Sequence, residues 1–247
     1  MAPDDLLAGI VGIVNKSDGL KVGAGFVAHE DGLIATCAHV VDYAGVKPGG
    51  TVSLIFQATK DEREAIVVPE YWRDAKSEDV AILHLEGSLP AGVHPLFLGR
   101  SPSEDGHHFI TFGFPQVQNK DGMWGYGIVG NLISTEAAGL ILQLTDTTEV
   151  TPGFSGAPIL DRHTNRVVGI VSAITHPDDY ERLGETAFVT PTETLRAVCP
   201  ALSISPDDVK DKPETLWDPK APPWDPRGPL GPLGPLGPGS WFRLGGS

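Results

Sequence analysis

Residues 22–37 read Val-Gly-Ala-Gly-Phe-Val-Ala-His-Glu-Asp-Gly-Leu-Ile-Ala-Thr-Cys, two short apolar runs parted by Asp31-Gly32. Val22–His29 and Leu33–Cys37 are bounded by turn residues and built from small, branched and aromatic side chains, which is how strands read. The cadence recurs at Gly9–Asn15, Thr51–Phe56, Glu64–Pro69, Val80–Leu85, Phe109–Phe114, Met123–Leu132, Leu140–Leu144, Ala157–Leu160, Val167–Ile174 and Thr186–Val189. Twelve such runs in one chain predict an all-β body, either two packed barrels or a large sandwich. The break between halves is expected near Gly99–His107, where Gly-Arg-Ser-Pro-Ser-Glu-Asp-Gly-His interrupts the pattern. One helix is expected, Pro191–Val198, with Thr190 as N-cap, Pro191 at the first helical position and Glu193 three residues after the cap.

The 247 residues carry 18 basic and 32 acidic side chains, a net charge of −14. A nucleic-acid partner is excluded on that balance, because a phosphate backbone is gripped by clustered Lys and Arg. Ten of the 22 prolines lie between Ser205 and Ser240, among three Gly-Pro-Leu triplets. Proline lacks the N–H and fixes φ, so this segment propagates neither helix nor ladder. The triplets are too few for a collagen helix. Residues 1–202 are therefore expected to fold, and 203–247 to form a Pro/Gly-rich linker or tail.

No run approaches the roughly 18 apolar residues of a membrane span. The start, Met-Ala-Pro-Asp-Asp, is acidic where a signal peptide is basic. Two cysteines, Cys37 and Cys199, are too few for a disulfide framework. These features lead to the expectation of a soluble cytoplasmic protein with free thiols.

Three segments carry chemistry. Ala-Thr-Cys-Ala-His-Val-Val (35–41) puts His39 just after an apolar strand. Ser-Glu-Asp-Val-Ala-Ile-Leu (77–83) puts Asp79 just before one. Thr-Pro-Gly-Phe-Ser-Gly-Ala-Pro (151–158) holds Ser155 between glycines on a tight turn. A serine hydroxyl is a poor nucleophile until an imidazole takes its proton, and a carboxylate fixes that imidazole's tautomer. Gly153 permits a turn in which its own N–H and that of Ser155 converge where an oxyanion would sit. Each piece alone is common in β proteins; His, Asp and Ser together at strand edges are specific.

ATCAHVV, EDVAILHL and TPGFSGAPIL resemble the three catalytic motifs of chymotrypsin-fold serine peptidases, particularly the bacterial trypsin-like branch that includes the HtrA proteins. The resemblance covers about residues 6–200. It implies a double six-stranded antiparallel β-barrel, barrel one about 6–98 and barrel two about 107–190, with the site between them. It also implies His39 as general base, Asp79 as its orienting partner, Ser155 as nucleophile, and Gly153 with Ser155 as the oxyanion hole. A serine endopeptidase acting on protein or peptide substrates is expected, with no metal or cofactor. The alternative is a catalytically silent peptide-binding or scaffold module on the same barrels.

Digestive relatives carry an acidic residue before the nucleophile, which pairs with a newly cut N-terminus. Phe154 stands there, so that zymogen switch is not expected. In those relatives the residue six before the nucleophile floors the specificity pocket; the count lands on Glu149 and implies a preference for Arg or Lys before the cut. The resemblance makes Val171-Ser172-Ala173-Ile174 the segment that pairs with substrate as an added strand. It puts Ser172 where a hydroxyl supports the triad Asp, and makes Ala187 and Ala173 small pocket walls. His107-His108 is a poor metal pair, since neighbours on a strand face opposite ways. Cys37 reads as a small core residue, and His176, Asp178 and Asp179 as solvated loop residues. The tail, with Trp217, Trp224, Arg227 and Trp241-Phe242-Arg243-Leu244, reads as a linker toward a partner or further domain, or as a segment entering the site.

Overall fold

In the computed structural model, which describes residues 3–102, 106–115, 121–135, 139–147, 149–174 and 187–204, all twelve expected strands form. β1 (Ile10–Val14), β2 (Lys21–Val27), β3 (Leu33–Thr36), β4 (Thr51–Phe56), β5 (Glu62–Arg73) and β6 (Val80–Leu85) close into one barrel in the order β1-β2-β3-β6-β5-β4. β7 (His107–Gly113), β8 (Met123–Thr135), β9 (Gly139–Thr145), β10 (Pro158–Asp161), β11 (Arg166–Ile174) and β12 (Ala187–Pro191) close the other as β10-β11-β12-β9-β8-β7. The choice between barrels and sandwich is thus decided for barrels, whose closure leaves no open sheet edge. Thr186, expected to start the last strand, lies outside the described residues.

The alternation in β4, buried at Val52, Leu54 and Phe56, is that of a strand with one face on the core. β1 is buried at every position, and β5 runs past Pro69, where the sequence pattern stopped. Its register with β6 shifts between Val67 and Trp72, as expected where a proline removes a ladder donor.

Two short helices escape the sequence periodicity: α1 (Pro3–Leu7) and α2 (Ala38–Tyr43). The closing helix, α3 (Thr192–Val198), starts later than expected, with Pro191 as its N-cap and no side-chain cap bond. The capping box does not form because its members are engaged elsewhere. Thr190 still lies in β12, and its hydroxyl donates to the Glu78 carbonyl at 3.1 Å. Glu193 accepts the Ser101 N–H at 2.9 Å and the Ser101 hydroxyl at 2.8 Å. Buried Thr192 donates to the Gly99 carbonyl at 2.6 Å. The crossover between barrels is therefore stitched to α3 by three side chains.

Thr192→Val keeps the shape and removes the donor from a buried carbonyl. It is expected to lower unfolding stability by about 1–3 kcal/mol, read as a shifted urea midpoint with an unchanged slope.

Candidate active site

β3 ends at Thr36, and Cys37 in an extended conformation (φ −83°, ψ 146°) opens α2. Ala38, Val40 and Val41 turn inward and are buried, which leaves His39 on the open face with its side chain 21% exposed. Asp79 grips His39 twice: one carboxylate oxygen accepts the His39 backbone N–H at 3.0 Å, and the other lies 2.6 Å from Nδ1. Nδ1 donates to that carboxylate, so Nε2 keeps its lone pair and faces away from the acid. Asp79 adopts φ +53°, a left-handed conformation that Asp tolerates better than most residues. Its N–H donates to the Asp74 carbonyl at 3.2 Å, closing the turn that precedes β6. Tyr43, one helical turn beyond His39, sets its ring edge against the imidazole at 5.6 Å. Sequence reading missed Tyr43, because its spacing of four from His39 has meaning only once α2 is known to be a helix.

The Ser155 turn is built from glycines and one buried ring. Gly153 (φ +104°) and Gly156 (φ +80°) both need the left-handed region. A Cβ at position 153 would strike the Phe114 carbonyl, and one at 156 would strike the Ala24 carbonyl. Between them Phe154 is fully buried, its ring lying against Gly113 and Gly125, where side chains would overlap it. The turn is held by Phe154 N–H to Thr151 O at 3.1 Å, Phe114 N–H to Gly153 O at 2.9 Å and Ala157 N–H to Phe154 O at 2.8 Å. Among the described residues, neither the Gly153 N–H nor the Ser155 N–H donates a hydrogen bond. Two N–H donors on one tight turn are thus left unspent.

The turn is docked on barrel one. Ala24 N–H of β2 donates to Ser155 O at 2.8 Å, while Gly156 N–H ties the turn to its own barrel by donating to Val171 O of β11 at 2.8 Å. A Cβ at Gly23 would meet Val40 at 2.7 Å and Ser155 O at 3.0 Å, so the bare backbone there lets α2 and the turn approach each other. No hydrogen bond joins the Ser155 hydroxyl to His39 among the described residues.

Cys37 is fully buried beneath this junction and donates its thiol to Val171 O at 3.2 Å. Burial, then the nearby Asp79 charge, pushes the thiol well above its ordinary value. Cys37, His39 and Asp79 each offer a metal-ligating atom within 4.8 Å of the others. A metal needs the thiolate, and this thiol is held protonated and already spent as a donor.

The expected specificity residues fare differently. Glu149 is exposed, in the turn closed by Val150 N–H to Thr147 O at 3.0 Å; the buried carboxylate that the residue count implied is not formed. Ser172 is the extra residue of a bulge, since Val171 pairs with Val189 and Ala173 with Phe188. Its hydroxyl donates to Phe188 O at 3.3 Å rather than to Asp79, so its single proton is spent across the sheet. Ala187 is fully buried and pairs with both Ile174 and Leu144. The backbone of Ala173 and Ile174 ends β11. His107 turns to the fully buried Asp161, Nδ1 to carboxylate 2.9 Å, rather than pairing with His108. His176, Asp178, Asp179 and the tail lie outside the described residues.

The family description "Trypsin-like peptidase domain" matches residues 23–170. Among solved structures, the inactive form of the Rv3671c protease of M. tuberculosis is 24% identical, with a TM-score of 0.58 over 80% of this chain and 90% of that one. Its active form is 22% identical, with a TM-score of 0.61 over 83% and 86%. The HtrA-type protease AlgW, solved with a tripeptide, is 19% identical, with a TM-score of 0.61 over 78% and 60%. No curated protein sequence matches.

Gly156→Ala adds a methyl where backbone already stands, at a φ that disfavours it. It is expected to cost at least about 2 kcal/mol, read as a lowered thermal midpoint, whereas Gly19→Ala, with open space around it, costs no more than the strain of its own φ.

Proposed function

Because the chain belongs to the trypsin-like peptidase domain family, we propose that it is a serine endopeptidase working through His39, Asp79 and Ser155. The observation that carries this reading is the double grip of Asp79 on His39, at 3.0 and 2.6 Å. It fixes the one tautomer whose Nε2 is free to act as a base.

His39 Nε2 takes the Ser155 hydroxyl proton as Oγ attacks the scissile carbonyl. The carbonyl π electrons move onto oxygen, and that oxyanion is received by the Gly153 and Ser155 N–H groups. Collapse breaks the C–N bond, and His39 returns its proton to the departing amine. Water, deprotonated by the same imidazole, then attacks the acyl-enzyme and releases Ser155. Asp79 stays ionised throughout and stabilises the imidazolium. An extended peptide is proposed to pair with the backbone at Ala173–Ile174, as a strand added to the barrel rim. Residues 203–247 are proposed to tether this domain to a partner or further domain.

The silent-module reading draws on one observation, the missing hydrogen bond between Ser155 and His39. In unliganded sites such contacts are commonly loose and tighten with substrate. A fluorophosphonate probe, which needs an activated serine, separates the two. Labelling is expected in the wild type and is expected to fall about 10⁴-fold or more in Ser155→Ala and His39→Ala. It is expected to fall toward acid pH as the imidazole takes up a proton and ceases to be a base. A folded wild-type protein that does not label is a binding module.

The Arg or Lys preference rests on Glu149 alone. An exposed carboxylate acts on a basic side chain through screened charge, worth about 0–1 kcal/mol. Glu149→Ala is therefore expected to change kcat/KM for Arg-containing peptides, relative to Leu-containing ones, by no more than about fivefold. A larger loss, measured on matched fluorogenic peptides, would put this carboxylate in the pocket.

A further inference from the structure

Lys21, at the start of β2, lies far in sequence from every motif, yet it reaches across to the other barrel. Its stem crosses Gly12 of β1, where a Cβ would meet Lys21 Cδ at 2.8 Å. Its ammonium stands 4.4 Å above the centre of the Phe114 ring. Phe114 is 3% exposed, and its other neighbour is the edge of Phe112, 5.7 Å between centroids, which itself packs on Trp124 at 5.1 Å.

Phe114 is also the residue against which Gly153 is seated. Its N–H donates to Gly153 O at 2.9 Å, and its carbonyl fills the space where a side chain at 153 would go. Together these fix the backbone on the C-terminal side of Gly153 and forbid it a Cβ, which sets the direction of the Gly153 N–H. We propose that Lys21 is a positioning residue for the peptidase reaction: its ammonium, held over the Phe114 ring from barrel one, keeps Phe114 against Gly153 and so keeps the oxyanion donors aimed.

Chemistry favours a cation at this point. A ring presents a negative face to an ammonium, and the attraction grows when water is kept away. Lys21 is partly buried, and burial followed by Lys60 holds its ammonium below the ordinary lysine value, with Asp121 opposing them. An apolar side chain of equal length would fill the same groove without the attraction to the ring.

This inference rests on the peptidase reading, and one experiment distinguishes their failures. The full chain is labelled with a fluorophosphonate probe, and the maximal labelling rate and half-saturating probe concentration are measured for wild type, Lys21→Met, Lys21→Arg, Phe114→Leu and Lys21→Met/Phe114→Leu. The expected result is a maximal rate about five- to tenfold lower in Lys21→Met, at an unchanged half-saturating concentration. The acid limb of the pH profile should keep its midpoint, because His39 and Asp79 are untouched. Lys21→Arg should recover most of the rate, since a guanidinium also sits over an aromatic face. In the Phe114→Leu background, Lys21→Met should have no further effect.

Equal rates in Lys21→Met and wild type overturn the proposal. So does an equal loss with and without the Phe114 ring, which would mean that Lys21 acts by another route. Should Lys21→Met fail to fold, Phe114→Leu labelling at the wild-type rate overturns it instead. A folded wild-type protein that does not label overturns the peptidase reading and this proposal with it.

Discussion

Everything at the site depends on two backbones touching across the barrels. Gly156 lies so close to the Ala24 carbonyl that no other residue fits there, and Ala24 returns the contact by donating its N–H to Ser155 O at 2.8 Å. Barrel one brings His39 and Asp79, and barrel two brings Ser155. Neither barrel alone holds the three groups in register. The contact is short because it is backbone to backbone, with no flexible side chain between, and so it fixes Ser155 relative to barrel one with little play. Val171 O extends the junction by accepting from both Gly156 N–H and the Cys37 thiol. One carbonyl thus ties the nucleophile turn to the residue that opens the histidine's helix.

A second tie runs through Thr190, whose hydroxyl donates to the carbonyl of Glu78, next to Asp79. Ser155 accepts a bond that crosses from one barrel to the other, Asp79 lies one residue from such a bond at Glu78, and His39 lies two residues from one at Cys37. Specific geometry at a cleft between two closed sheets is reached by letting each sheet hold a piece of the other's loop.

The chain's architecture was largely legible because strands, turns and glycines are local signals. All twelve apolar runs became strands, and Asp79 grips His39 from the two segments that the sequence singled out. What the sequence hid was non-local. α2 is six residues long, too short to show a helical period. Thr190 and Glu193 look like a cap and its partner, yet their polar atoms serve Glu78 and Ser101 on other segments. The count that reached Glu149 carries no information on burial, and the side chain there is exposed. Ser172 sits in a bulge, and a bulge redirects one hydroxyl without leaving a mark in composition. Lys21 gave no signal, since a cation–π contact with Phe114 requires the barrels to be assembled first.

Phe154 gives the site a particular thermal character. In digestive relatives the residue at this position is held by a charge pair, whereas here the oxyanion turn is held by burying a benzyl group against Gly113 and Gly125. Burial of apolar surface is driven mainly by the entropy of water near room temperature and weakens on cooling, while an ion pair answers chiefly to salt and proton concentration. Order in the turn is accordingly tied to temperature more than to ionic conditions.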